Sequence, residues 1–318
     1  MRRVILALLD AVCITRPVVL IPVWGFALLG LDRGHAAGGG AAVGIWTAVW
    51  IGVFSLSVAA VYVVNQVADL DADAVNDGFP LLTKGGVSRR LAATTAAVCA
   101  AASTALPLLR LPMLSALAGA ALAVGAVYCL KPLRLSGRPV LDFLANAVGY
   151  GGIAFGVGWV LSGAPTGLFT GRFAQAALPY VLLMCAGSIS STIPDMPGDA
   201  AAGKRTTAVV FGRMPAHCLA LAMLVAGGVA GHLAGDVQSV VCAALVVPLY
   251  LAYLVAPQPA LCEATYKVGG AILMLVAVVR FPLFGAAGLI VLLATRMYFR
   301  FRHKVNYPAI LPARPISK

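Results

Sequence analysis

Four aspartates crowd into one short stretch of a chain that otherwise has few acidic residues. The stretch NQVADLDADAVNDGFP, residues 65–80, holds four of the 11 Asp and Glu residues among 318. Asn65, Asp69 and Asp73 follow one another at four-residue spacing, which places them along one face of a helix. Carboxylates at this spacing repel each other and cost a helix roughly a few tenths of a kcal/mol each. We therefore expect a cation to bind between them.

A second acidic group lies far along the chain, in STIPDMPGDAAAGKRTT. Asp195 and Asp199 are again four residues apart. Magnesium prefers single carboxylate oxygens combined with phosphate oxygens. Two facing groups of carboxylates could therefore hold Mg²⁺ ions that act as Lewis acid and template for the departure of a diphosphate. Asp71 and Asp77 fall off the shared helical face of the first group and are interpreted as its solvated neighbours.

The composition indicates that the chain is a membrane protein. Of all residues, 61% are hydrophobic and 11% are charged, against roughly 25% charged in a soluble domain. Apolar runs of about 20 residues can each cross a bilayer as a helix, and in lipid the backbone must satisfy its own hydrogen bonds. We predict an all-α, polytopic membrane protein with about nine transmembrane helices, at residues 17–31, 41–64, 91–109, 111–130, 140–162, 173–193, 214–235, 237–256 and 268–295.

The whole chain, residues 1–318, is expected to form one domain. Residues 1–15 are predicted to form an interfacial helix and residues 296–318 a basic tail. Arg280 and Pro282 interrupt the last predicted span. We favour a break there, which would return the tail to the side of the N-terminus. The alternative is that Arg280 is a functional charge within the membrane.

Positive charge predicts how the helices run through the membrane. Thirteen Lys and Arg residues lie in loops on the N-terminal side, against Arg33, Arg110 and Arg172 on the other side. Cytoplasmic loops carry an excess of Lys and Arg. The N-terminus and both acidic groups are therefore expected on the cytoplasmic side of the membrane. We expect this membrane to be a bacterial plasma membrane. This topology and contact with anionic membrane lipid explain the net charge of +12, so nucleic acid is not expected as a partner.

Four motifs, taken in order, resemble the UbiA superfamily of intramembrane prenyltransferases. NQVADLDAD (65–73) is similar to the Asn-x-x-x-Asp-x-x-x-Asp motif of that family. DMPGD (195–199), followed by GKRT (203–206), is similar to the second aspartate-rich motif and its tail. PLLTKGGVS (80–88) resembles the segment after the first motif, and YCLKPLRL (128–135) the loop after the fourth span. The resemblance covers most of the chain.

The resemblance implies a helical bundle, usually of nine spans, around a central cavity with a lateral opening for isoprenoid tails. It implies that the two aspartate motifs hold Mg²⁺ and a polyprenyl diphosphate. Ionisation of this donor gives an allylic cation, which an acceptor captures, commonly an aromatic ring. Gln66 and Phe79 depart from the family pattern, because many members have Asp and Arg there. Thr192 stands where the second motif often has another Asp, and Lys131 lies one residue closer to Tyr128 than is usual.

Candidate site residues follow from the motifs and from the charges beside them. The expected Mg²⁺ ligands are Asn65, Asp69, Asp73, Asp195 and Asp199. Arg grips phosphate at two points and Lys acts as a point charge. The side chains expected to neutralise the leaving diphosphate are Lys131, Arg134, Arg138 and Lys204. Aromatic faces attract cations, so Tyr62 and Tyr128 are expected to face the allylic cation, and Tyr150 is a further candidate.

Three functions are compatible with these motifs to different degrees. The leading hypothesis is Mg²⁺-dependent transfer of a prenyl group from its diphosphate to a small, aromatic acceptor. A terpene cyclase of the same family would ionise the same donor and fold the cation onto its own double bonds. A transporter is a third class, but acidic residues at mid-span would favour it, and here they lie at the ends of spans.

Overall fold

The computed structural model describes residues 2–70, 80–83 and 86–308. Every regular element within these ranges is a helix, and the predicted all-α class is confirmed. The helices are α1 (Arg2–Ile14), α2 (Pro17–Ala36), α3 (Ile45–Ala68), α4 (Pro80–Thr83), α5 (Arg89–Ala105), α6 (Pro112–Cys129), α7 (Leu141–Leu161), α8 (Gly171–Thr192), α9 (Met196–Ala201), α10 (Thr207–Phe211), α11 (Arg213–Leu233), α12 (Val237–Val255), α13 (Pro259–Arg280) and α14 (Pro282–His303).

Nine helices in the described part of the chain are long and apolar enough to cross a membrane, namely α2, α3, α6, α7, α8, α11, α12, α13 and α14. The chain is an integral membrane protein. The predicted span at 91–109 corresponds to the 17-residue helix α5, which is slightly shorter than these nine. It ends at Ala105 because Pro107, two residues later, cannot continue a helix. Helix α5 packs along α3 and α6.

The last predicted span, residues 268–295, consists of two helices. Helix α13 ends at Arg280 and α14 begins at Pro282, with Phe281 between them in a non-helical conformation. The expected break is therefore confirmed. The predicted start was wrong, because α13 already begins at Pro259. Its first turns were missed because they contain Glu263 and Lys267, which form an ion pair of 2.6 Å along the helix.

The charged ends of α14 show where it lies in the bundle. Arg280, just before α14, pairs with Asp32 near the end of α2 at 3.0 Å. Arg302, in the last turn of α14, pairs with Asp10 of α1 at 2.5 Å. Helix α14 therefore returns the chain to the face of the bundle where α1 lies. Arg280 belongs to an ion pair at the opposite face.

Helices α2 and α7 cross in close contact at two glycines. A Cβ atom added at Gly158 would collide with the backbone of Ala27, and one added at Gly30 would collide with the backbone of Phe155. Small residues let helices in membranes approach closely enough for good packing. The contact fixes α2 against α7, and these two helices form part of the cavity described below.

Candidate active site

Asp69 lies at the centre of a buried ion cluster where three loops meet. It directly follows α3, it is only 7% exposed, and its Oδ1 accepts a hydrogen bond of 2.8 Å from Arg134. Its Oδ2 lies 3.1 Å from Nζ of Lys204. Arg134 belongs to the loop after α6, and Lys204 lies between α9 and α10. The cluster therefore joins three regions that are far apart in sequence.

Lys204 connects the two acidic groups. Its Nζ lies 3.1 Å from Asp69 and 3.5 Å from Oδ1 of Asp199, and all three side chains are buried. The turn before it contains Gly203 at φ +70°, a conformation that suits glycine. The N–H of Lys204 donates to the carbonyl oxygen of Asp199 at 2.9 Å. Burial raises the pKa of the Asp199 carboxyl, and the nearby ammonium of Lys204 opposes that rise.

The loop that carries Arg134 is fastened to the end of the second motif. The N–H of Arg205 donates to the carbonyl oxygen of Gly137 at 3.0 Å. The N–H and hydroxyl of Thr207 donate to the buried Asp142 carboxylate at 2.7 and 2.6 Å. Sequence reasoning missed Asp142. The signal was an acid in the first turn of an apolar span, where burial requires partners.

The other predicted ligands are placed less centrally. Asn65 lies one turn before Asp69, and its Oδ1 accepts a hydrogen bond from the Cys129 thiol at 3.3 Å. Asp195 is exposed at the start of α9. Asp73 lies outside the described residues, as do Asp71, Asp77 and Phe79. The structure thus brings Asp69 and Asp199 together, and the roles of all five ligands remain predictions.

The donor set formed by Asp69 and Asp199 fits a divalent cation. Their carboxylates converge on a single ammonium group, that of Lys204, which stands where a cation between the two motifs would lie. Within residues 2–70, 80–83 and 86–308, no three His, Cys, Asp or Glu side chains form a metal cluster. Magnesium is commonly held by one or two carboxylates with water and substrate phosphates, so two carboxylates are compatible with it.

A basic depression of about 400 Å³ opens beside the ion cluster. Four cations line it, namely Lys131, Arg134, Arg138 and Lys204. Lys131 and Arg138 are exposed, and Arg138 also donates to the carbonyl oxygen of Pro132 at 3.1 Å. The four side chains that were predicted to meet a diphosphate therefore surround one space. Their combined charge favours an anion there.

An apolar cavity of about 70 Å³ lies between α2, α3, α6 and α7. Tyr62, Tyr128 and Tyr150 line it, and the hydroxyls of Tyr62 and Tyr150 are hydrogen-bonded to each other. The Nδ2 of Asn146 donates to the Tyr128 hydroxyl at 3.2 Å and to the Ser188 hydroxyl at 3.0 Å. Both predicted tyrosines thus line one cavity, together with the third candidate.

The cavity owes part of its shape to an irregular stretch of α7. Val148–Ala154 forms a π-helical turn that contains Tyr150, and such turns recur at functional sites. Asn146 lies one helical turn before Tyr150 and lines the same cavity. Sequence reasoning did not select Asn146, although an amide within an apolar span was a visible signal. From Tyr128 the loop leads to Arg134, so α6 and its loop line both the cavity and the depression.

A bundle of apolar helices with an aspartate–lysine–arginine cluster at one face resembles an intramembrane transferase of prenyl groups. The chain belongs to the UbiA prenyltransferase family, because the model of that family matches residues 19–277. The resemblance seen in the four sequence motifs is thereby confirmed. The search of curated proteins gave no match.

Solved structures of UbiA homologues share the fold. A UbiA homologue from Archaeoglobus fulgidus bound to GPP and Mg²⁺ superposes with a TM-score of 0.63 at 20% identity, over 84% of this chain and 98% of the homologue. The apo UbiA homologue from Aeropyrum pernix K1 gives 0.59 at 19%, over 85% and 96%. A digeranylgeranylglyceryl phosphate synthase gives 0.61 at 16%, over 88% and 98%. At these identities the likeness establishes the fold.

Proposed function

We propose that this protein is a Mg²⁺-dependent intramembrane prenyltransferase that transfers the prenyl group of a prenyl diphosphate to a small, aromatic acceptor. The observation that carries the proposal is the cluster in which Lys204 joins Asp69 and Asp199 beside Arg134. Carboxylates for a divalent cation and cations for an anion lie together, next to a cavity lined by tyrosines. The A. fulgidus homologue of the same fold binds GPP and Mg²⁺, which supports this choice of donor.

Donor binding is assigned to the residues of the depression. Asp69 and Asp199 would hold Mg²⁺, with Asn65, Asp73 and Asp195 as the further predicted ligands, and the bound ion would supply Lewis-acid assistance to the leaving group. Arg134 can meet two phosphate oxygens at once. The exposed cations at the rim, Lys131 and Arg138, draw the anion into the depression.

Ionisation breaks the bond between the allylic carbon and the diphosphate oxygen, and the electron pair stays with the diphosphate. Arg134 and Lys204 neutralise the charge that grows on the leaving group. The rings of Tyr62, Tyr128 and Tyr150 line the cavity and can stabilise the allylic cation through their faces. The apolar walls keep water away, so the cation is not quenched to an alcohol.

Capture by the acceptor completes the transfer. A carbon of an electron-rich ring attacks the cation, a carbon–carbon bond forms, and the ring passes a proton to the released diphosphate, which restores its aromaticity. We place this chemistry at the cytoplasmic face of a bacterial plasma membrane, because the Lys and Arg bias favours that orientation. We also treat residues 1–318 as one domain that contains the whole site.

A cyclase of the same family is the second candidate. It would ionise the same donor at the same residues, and the three tyrosine rings that line the cavity would stabilise its cation as well. The cyclase would close a carbon–carbon bond within the prenyl chain and end by passing a proton to the released diphosphate.

The test is product analysis with purified membranes. Labelled geranyl, farnesyl or geranylgeranyl diphosphate is incubated with Mg²⁺, with and without a panel of aromatic acids. The proposal expects a prenylated aromatic product that requires both Mg²⁺ and the acceptor. A cyclic hydrocarbon formed without any acceptor would select the cyclase, and no release of diphosphate from any donor would contradict both functions.

A further inference from the structure

The first aspartate motif is bonded to the N-terminal helix through an unusual residue. Gln66 follows Asn65 in α3 and is 2% exposed. Its Nε2 donates to the carbonyl oxygen of Ile14, the last residue of α1, at 2.9 Å, and to that of Tyr62 at 2.9 Å. Gln66 is one of the positions that depart from the family pattern. The side-chain amide of Gln66 therefore bonds the end of α1 to the end of α3, which Asp69 directly follows.

Helix α1 is in turn bonded to the last helix of the bundle. The Nε and Nη2 of Arg302 donate to the two oxygens of Asp10 at 2.6 and 2.5 Å, and the hydroxyl of Tyr298 donates to Asp10 at 2.5 Å. Asp10 is 6% exposed. Burial opposes its ionisation, but the bonds from Arg302 and Tyr298 together outweigh burial and lower its pKa. The paired carboxylate is therefore charged at neutral pH.

The end of α14 also contacts the chain beyond the first motif. Phe299 is fully buried in one apolar cluster with Ile14, Leu81 and Val87. The N–H of Val87 donates to the carbonyl oxygen of Leu81 at 3.0 Å. A Cβ atom added at Gly86 would lie 3.1 Å from the ring of His303. Helix α14 thus packs against Leu81 and Val87, while α1 is bonded to Gln66.

Both helices lie outside the region that the family model matches, residues 19–277. The contacts of Asp10 and Arg302 therefore lie outside the matched residues, whereas Gln66 lies within them.

We propose that α1 and α14 form a brace that holds Asp69, at the end of α3, in its metal-binding position, with Gln66, Asp10 and Arg302 as positioning residues. The brace acts through Asp69, because Gln66 precedes it by one turn on α3 and fixes the end of that helix. This inference rests on the proposed function of Asp69 as a magnesium ligand. Residues that orient a metal ligand change metal affinity by about 10–100-fold when removed.

Two variants and one matched control test the brace. Arg302→Gln removes the Asp10 pair, and Gln66→Leu removes the donor to Ile14 at similar side-chain size. Arg280→Gln is the control, because it removes the ion pair with Asp32 at the opposite face. We expect the apparent KM for Mg²⁺ to rise about tenfold in both brace variants, with little change in kcat at saturating Mg²⁺. The charge-reversed double variant Asp10→Arg, Arg302→Asp should restore most of the Mg²⁺ affinity.

A second readout does not depend on activity. Hydrogen exchange of the Val87 amide, measured in full-length protein in detergent, should be faster in Arg302→Gln than in wild type or Arg280→Gln. If Arg280→Gln changes the Mg²⁺ dependence and the exchange as much as Arg302→Gln does, or if neither variant changes them, the brace is refuted. A wild-type protein that releases no diphosphate would contradict the proposed function, and exchange at Val87 would then decide the brace alone.

Discussion

The ammonium of Lys204 lies 3.1 Å from Asp69 and so pairs a lysine from the tail of the second motif with an aspartate of the first. The same ammonium lies 3.5 Å from Asp199. One cation thus occupies the space between two carboxylates, and both carboxylates are buried. Since a divalent ion and a lysine compete for such a place, the pairing leads directly to predictions about metal binding.

Replacing Lys204 by Met should tighten the binding of a divalent ion in the absence of donor. Two facing carboxylates without their ammonium repel each other, and an ion that joins them relieves the repulsion. We expect the dissociation constant for Mn²⁺, measured by electron paramagnetic resonance, to fall about tenfold, which corresponds to about 1.4 kcal/mol of binding free energy. Turnover should fall in the same variant. Weaker Mn²⁺ binding than in wild type would show that Lys204 does not occupy the position of the ion.

Replacing Arg134 by Lys should raise the KM for the donor more than the same change at Arg138. Arg134 lies against Asp69 in the ion cluster, whereas Arg138 is exposed at the rim. Lysine keeps the charge but loses the two-point grip on phosphate. Steady-state kinetics should give an increase of about tenfold for Arg134→Lys. Equal effects at both positions would indicate general charge attraction instead of a specific contact.

Tyr150 should act through its ring and not through its hydroxyl. Tyr150→Phe keeps the aromatic face and removes the bond to Tyr62, whereas Tyr150→Leu removes the face. A cation over an aromatic ring in a dry site gains about 2 kcal/mol. We therefore expect kcat to fall more than tenfold in Tyr150→Leu and little in Tyr150→Phe. The reverse order would assign the role to the hydroxyl.

Gly158→Ala should destabilise the bundle. The added methyl group would collide with the backbone of Ala27, and overpacking of this kind costs about 1–3 kcal/mol. Gly187→Ala is the matched control, because a Cβ atom at Gly187 meets no atom within 4 Å. Thermal unfolding in detergent should show a lower Tm for Gly158→Ala alone. Equal Tm values for both variants would mean that α2 and α7 can move apart without cost.

Part of this site could be predicted from the sequence, for physical reasons that particular residues show. Long apolar runs set the spans, and the alternating direction of successive spans predicts that Asp69 and Asp199 lie at the same face of the membrane. The break at Pro282 was readable because proline lacks the N–H that a continuing helix needs. The beginning of α13 was not, because the Glu263–Lys267 pair lowered its apparent apolarity.

The details of the site depend on packing and were beyond the sequence. The position of Lys204 follows from a turn at Gly203, whose positive φ cannot be read from GKRT alone. The pairing of Tyr62 with Tyr150 requires the π-helical turn of α7. The contact between Asp10 and Arg302 joins residues 292 positions apart, and it depends on how the two ends of the chain meet in the bundle.

The central claim, that Asp69 and Asp199 hold the ion that assists diphosphate departure, is tested most directly by measuring Mg²⁺-dependent release of inorganic diphosphate. Asp69→Asn and Asp199→Asn should each lower the rate at least about a hundredfold, while size-exclusion chromatography shows an intact protein. Asp32→Asn, at the opposite face beside Arg280, should keep the wild-type rate. Release at the wild-type rate by Asp69→Asn or Asp199→Asn would contradict the account.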